Sequence, residues 1–197
     1  MTTISQVWIR PAKVGDLPGV SGVHASTWRT AYAGIVPDSY LEGMSPEVSL
    51  ARRRERYPNY PVLPQGEELV AEQDGAIVGY ASLGHVREEG MPADLGEIWA
   101  LYVLPSHQGD GVGTALLVAG VARLQTLGFT SIVLWVLSGN VSARAFYEQR
   151  GFALDGGVKN WDRDGWSLPQ VRYRLAPGGD LGREGVATSR SWRGPPQ

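Results

Sequence analysis

Residues 97–152 constrain the fold more than any other stretch of this sequence. An apolar run over 98–104 meets the turn Gln108-Gly109-Asp110-Gly111-Val112-Gly113, which opens a long apolar helix pattern. A second apolar run over 131–137 follows, then a short helical pattern over 140–150. A glycine-rich turn entering a helix supplies converging backbone N–H groups, and the helix N-terminus adds positive potential, so the arrangement suits phosphate oxygens. Gly111 and Gly113 let the backbone approach closely. The spacing alone fits a tight turn with no ligand equally well. A Rossmann fingerprint needs a third glycine and an acid after the next strand, but that strand ends here at Leu137-Ser138. A P-loop needs Gly-Lys-Ser/Thr, which this turn lacks.

The rest of the chain sets bounds. With 197 residues it can bury one core, so a single domain is expected. A formal net charge of −2 gives no pull toward nucleic acid or an anionic membrane. The chain has no cysteine, which removes disulfides, thiol nucleophiles and cysteine metal sites. No apolar run approaches the roughly 20 residues of a membrane span. The N-terminus has no basic region followed by an apolar core. A soluble, cytoplasmic protein is expected.

Residues 7–10 form a strand candidate stopped by Pro11. Asp16 before Leu17-Pro18 marks a helix start, and Val20, Val23, Ala25, Trp28 and Tyr32 continue it as an apolar stripe. Ser45-Pro46-Glu47 starts another helix, whose Arg52, Arg53, Arg54 and Arg56 read as a solvated face. Runs 68–73 and 76–86 are strands joined at Asp74-Gly75, a hairpin signal. The strand over 95–104 loses its alternation at Trp99 and Tyr102, as a strand with a bulge or with two buried faces would. Residues 114–127 are a helix closed by Gly128, and Asn140 caps one reaching Arg150. Strands are expected at 152–158 and 171–175 with a loop over 160–170 between them, and a disordered tail over 177–197.

Three blocks together resemble the GNAT N-acetyltransferase superfamily. They are Gln108-x-x-Gly111-x-Gly113 after an apolar strand, Asn140-x-x-Ala143-x-x-x-Tyr147 followed by Gly151-Phe152, and Trp28-x-x-Ala31-Tyr32-x-Gly34 with Pro37. The resemblance implies one domain over 1–176 with an α+β (mixed α/β) fold. Its central twisted, mostly antiparallel sheet is splayed at a bulged strand and has helices on both faces.

The resemblance also implies acetyl-CoA as donor. The backbone of Leu101, Tyr102 and Val103 would pair with the pantetheine arm like an added strand. Gln108, Gly109, Asp110, Gly111, Val112, Gly113 and Thr114 would hold the pyrophosphate. Asp110 departs from the family's basic or neutral residue, and an acid beside phosphate is unfavourable unless it points to solvent. Asn140 would hydrogen-bond the arm, with Ala143 packing nearby. Tyr147, read alone, is equally a core aromatic; by resemblance its hydroxyl protonates or steadies the departing thiolate. Glu97, read alone, is a strand-end acid; by resemblance it is the base that takes the amine's proton, with His85 its rival. The mechanism implied is direct attack in a ternary complex, without a metal.

The acceptor side of such a fold would draw on Trp28, Tyr32, Tyr40, Glu88, Glu89, Trp161, Asp162 and Trp166. Aromatic walls with carboxylates would suit a cationic small molecule, a metabolite or antibiotic amine. A protein N-terminus or lysine is the alternative acceptor, and a non-catalytic CoA-binding module the alternative function. The resemblance also implies a homodimer.

Overall fold

The computed structural model of the chain describes residues 6–163, 165–176 and 181. The tail expected over 177–197 lies outside them apart from Leu181. The strands are β1 (Trp8–Pro11), β2 (Gly66–Gln73), β3 (Ala76–His85), β4 (Leu95–Val103), β5 (Ser131–Leu137), β6 (Phe152–Arg163) and β7 (Trp166–Leu175). The α-helices are α1 (Leu17–Ala31), α2 (Asp38–Glu42), α3 (Pro46–Arg56), α4 (Val112–Thr126) and α5 (Val141–Glu148).

Local rules explain several of these boundaries. Asp74 (φ 51°) and Gly75 (φ 79°) make the tight turn between β2 and β3, both with the positive φ of a primed hairpin turn. The Ser45 hydroxyl accepts the Val48 N–H at 3.2 Å and caps α3. Asp16 stands before α1 but its side chain does not cap it. Its carboxylate accepts instead from the Lys13 N–H at 2.7 Å and from the Arg10 guanidinium.

The strands form one seven-stranded sheet in the order β1-β2-β3-β4-β5-β7-β6. Every neighbouring pair is antiparallel except β4 and β5. That parallel ladder runs only from Leu95 opposite Ser131 to Ile98 opposite Leu134. Beyond it β4 stays with β3 to Val103, while β5 stays with β7 to Leu137, so the two strands part. Ile98 faces Leu83 and Ala100 faces Ser82, which leaves Trp99 as the extra residue of a bulge. The broken alternation of the sequence is this bulge.

Helices cover both faces. On one, α4 and α5 bury Leu116, Leu117, Leu124 and Tyr147 against Leu83, Ile98 and Leu134. On the other, α1 and its neighbours bury Val20, Val23 and Trp28 against Val70, Tyr80 and Tyr102. No helix among the described residues is long and apolar enough to cross a membrane.

Two expectations are corrected, and one element is new. The segment 160–170 is not a loop: β6 and β7 pair through it as a hairpin, from Phe152 opposite Leu175 to Arg163 opposite Trp166. Its Pro169 does not break the sheet, because the ladder between β5 and β7 begins only at Gln170, and beyond it Pro169 offers its carbonyl to the Ser138 N–H at 2.8 Å. The arginines of α3 are not one solvated face. Arg53 turns inward to Glu68, whose side chain is fully buried and also accepts from the Tyr60 hydroxyl at 2.8 Å and the Ser82 hydroxyl at 2.6 Å. The short helix α2 was not foreseen, since five residues carry too little periodicity to read.

Candidate active site

The parting of β4 and β5 opens a cavity of about 600 Å³. One wall is β4 from Ile98 to Val103; the facing wall is Leu134, Trp135 and Val136 of β5 with residues of α5. Past Ile98 β4 has no partner on the β5 side, so the backbone polar groups on that edge face the cavity. Leu101, Tyr102 and Val103, the residues expected to pair with a pantetheine arm, lie on this edge. The edge stops at Val103, whose carbonyl accepts from the Thr27 hydroxyl and from the Gln108 side-chain amide, both at 3.1 Å. The Gln108 side chain thus ties the turn to the end of β4, and the residue lines the cavity there.

Beyond Val103 the glycine turn lines the outer end of the cavity through Gly109, Gly111, Gly113 and Thr114. Gly109 (φ 90°) and Gly111 (φ 82°) hold left-handed backbone, which other residues adopt only under strain. Gly111 is the N-cap of α4 and no side chain caps that helix, so its first N–H groups are left for a ligand. Val112 is buried and anchors the turn from below. Asp110 is exposed and outside the cavity wall, so its charge does not face the turn's interior. A cation absent from the sequence reading also stands here. The Arg150 guanidinium lies over the Phe146 ring at 3.9 Å and donates to the Thr114 hydroxyl at 3.0 Å and the Phe146 carbonyl at 2.8 Å. Its position just before Gly151-Phe152 was the available signal.

At the inner end three phenols share the wall: Tyr32 from α1, Tyr102 from β4 and Tyr147 from α5. Tyr32 and Tyr102 hydroxyls are 3.3 Å apart. Burial, and then the neighbouring Tyr102, pushes the Tyr147 hydroxyl well above the usual phenol range, so it keeps its proton at neutral pH. Asn140 accepts the Ala143 N–H at 3.1 Å, capping α5 with its oxygen and leaving its amide nitrogen to donate toward the cavity it lines. His24 stands edge-on to Tyr102 at 5.7 Å. Burial, then Arg53 and Arg52, pull the imidazole down to about 4, so it is neutral at neutral pH.

The profile of the acetyltransferase (GNAT) family matches residues 35–152. A probable N-acetyltransferase of Mycobacterium tuberculosis is 33% identical over 174 residues, covering 87% of this chain and 94% of that one. The uncharacterized N-acetyltransferase YuaI of Bacillus subtilis is 33% identical over 142 residues, covering 72% and 78%. The chain belongs to the GNAT acetyltransferase family. Among solved structures, the PaiA N-acetyltransferase of Thermoplasma acidophilum in complex with coenzyme A shares the fold, with a TM-score of 0.62 at 23% identity, covering 84% of this chain and 98% of that one.

In this GNAT acetyltransferase not every expected site residue reaches the cavity. Glu97 is buried, but it is not in the wall. Gly96 before it lies against Leu124 and Phe129 on the α4 side, so alternation turns Glu97 to the α1 side. Its carboxylate accepts the Arg87 N–H at 3.0 Å. Burial raises its pKa, opposed by that N–H and by the charges of Lys159 and Arg87. His85 is exposed, rests against Phe129 at 4.8 Å and is likewise outside the wall. Trp28 and Trp161 meet edge to face at 5.3 Å, joined by Tyr40 and Trp166, and do not line the cavity. Of the expected acceptor residues only Tyr32 does. Glu88 is already paired, with Lys159 at 2.9 Å and Arg172 at 3.3 Å, and so is not free to attract a cation. No cluster of three or more metal-ligating side chains occurs among the described residues.

Proposed function

We propose that the protein moves the acetyl group of acetyl-CoA to a primary amine on a small molecule, by direct attack with both substrates bound. The observation that carries this reading is the unpaired edge of β4, which runs straight into a glycine turn and an uncapped helix N-terminus. An extended, amide-bearing arm ending in a pyrophosphate matches that sequence of groups. The residues present fit it. Val103 ends the edge, the left-handed Gly109 and Gly111 open the turn, and Arg150 adds a cation to the cradle. Asn140 would donate to the arm, and the backbone N–H groups near Tyr102 and Val103 would steady the carbonyl oxygen.

In the transfer a nitrogen–carbon bond forms as the carbon–sulfur bond breaks. Tyr147 keeps its proton at neutral pH and donates a hydrogen bond that steadies the departing thiolate. The nitrogen's surplus proton goes to Glu97 through water, since the carboxylate stands outside the wall. The clustered rings of Trp28, Tyr40, Trp161 and Trp166 pack together on the α1 side of the sheet. That packing favours a small acceptor over a protein chain.

A broad amine panel read by release of free CoA thiol tests the reading, and the chain's lack of cysteine keeps the background low. Glu97 must be ionised to act, and its pKa is raised, so kcat/KM should fall as pH drops through that raised value. Glu97→Gln should lose this acid limb and roughly 10²-fold in rate. An unchanged pH profile in the variant would remove Glu97 from the mechanism.

A further inference from the structure

We propose that the paired hydroxyls of Tyr32 and Tyr102 are the site that receives the acceptor's nitrogen, holding its N–H groups against the free edge of β4. This rests on the acetyl-transfer reading and adds where the second substrate binds. Three observations lead to it. First, the two oxygens are 3.3 Å apart, and both residues line the cavity that β4's free edge lines. They come from different elements, α1 and β4, so the contact exists only because the fold brings the acceptor-side helix over the split strand. Second, 3.3 Å is long for an O–H···O bond, whose usual separation is about 2.7–2.8 Å. Besides this long bond and the Trp28 indole N–H directed at Tyr102, lone pairs on the two oxygens are left to accept. A nitrogen carrying two or three hydrogens has the donors those lone pairs lack. Third, the described residues of the wall include no carboxylate and no imidazole. Beside the backbone carbonyls of the edge and the Thr27 hydroxyl, the phenols are the side-chain groups on the β4 and α1 side that can accept from an amine there.

The pair also complements Tyr147. Tyr147 comes from α5 on the far wall, and the pair comes from the near wall. A thioester laid along β4 would thus have its sulfur side served by one phenol and its attacking side by two. Phenol oxygens accept from an ammonium, more strongly, and also from the neutral amine. The nitrogen would stay anchored before and after its proton departs, with its lone pair directed at the carbonyl carbon. His24, edge-on to Tyr102, stays neutral and adds no competing charge.

The test is steady-state kinetics of the full chain with acetyl-CoA and the best amine of the panel, comparing wild type with Tyr32→Phe, Tyr102→Phe and the double variant. Each change removes one oxygen and leaves the ring packing in place. Each single variant should raise the amine KM roughly tenfold, equivalent to about 1.4 kcal/mol. The KM for acetyl-CoA should stay within about twofold. Because the hydroxyls act as a unit, the double variant should be little worse than the worse single one, rather than showing the product of both losses. An unchanged amine KM overturns the site, and so does a rise confined to acetyl-CoA, which would make the tyrosines part of the donor wall. Failure of every amine to release thiol from wild-type protein overturns the acetyl-transfer reading itself, and the nitrogen site with it.

Discussion

Tyr147 shows how far a single residue's role can be read before and after folding. Its spacing from Asn140, two helical turns, places both on one helix face, and that much is legible from sequence alone. What the sequence does not contain is the environment. The ring is buried among Phe146 at 5.1 Å and Phe152 at 5.9 Å, and this apolar setting makes the phenol hold its proton. Tyr147→Phe should therefore keep the fold and lower kcat about 10²-fold with little change in the KM for acetyl-CoA, as initial-rate kinetics would show. Arg150 is the opposite case. It acts from beyond the end of α5, so no helical periodicity points to it, and only the folded turn brings it to Thr114. Glu97 is intermediate. Its burial follows from its central strand, but its turn away from the cavity depends on which face Gly96 gives to α4.

Among the elements, those governed by local chemistry were legible and those governed by distant partners were not. The Asp74-Gly75 turn and the Ser45 cap follow from a few adjacent residues. The β6–β7 hairpin was missed because its tryptophans, glycine and proline look like loop chemistry, whereas unbroken pairing from Val158 to Arg163 and the edge-to-face contact of Trp161 and Trp166 at 4.9 Å decide the outcome. Helix α3 carries the sharper lesson. Its four arginines look alike in sequence, yet Arg53 alone pairs with the fully buried Glu68, 15 residues away, and lies over the Tyr80 ring at 5.0 Å. Removing one partner of a buried pair strands the other's charge. Arg53→Met should cost about 3–5 kcal/mol, seen as a lowered urea midpoint, while Arg52→Ala at the exposed neighbouring position should cost less than about 0.5 kcal/mol. Equal losses at both positions would return Arg53 to the solvated face.

At the scale of the whole molecule, two half-sheets, β1 to β4 and β5 to β7, share only the short ladder from Leu95 to Ile98. A second tie crosses the gap at the same end. Glu88, beside the Arg87 that bonds Glu97, reaches over to Lys159 and Arg172. The other end of the split is spanned by whatever lies along β4. Acetyl-CoA at about 100 times its Kd should stabilise the fold by about 2.7 kcal/mol. Hydrogen exchange should place the protection on the backbone amides of 99–103 more than on the β1–β2 pair, and uniform protection would argue against an added strand. The split has one more consequence. It pierces the sheet, with α4 and α5 on one side and α1 on the other. Among the described residues the sheet is thus a partition with a doorway, and under the proposed function the two reactants would come to it from separate rooms. Neither would have to leave for the other to enter, and the order of their arrival would then be left free.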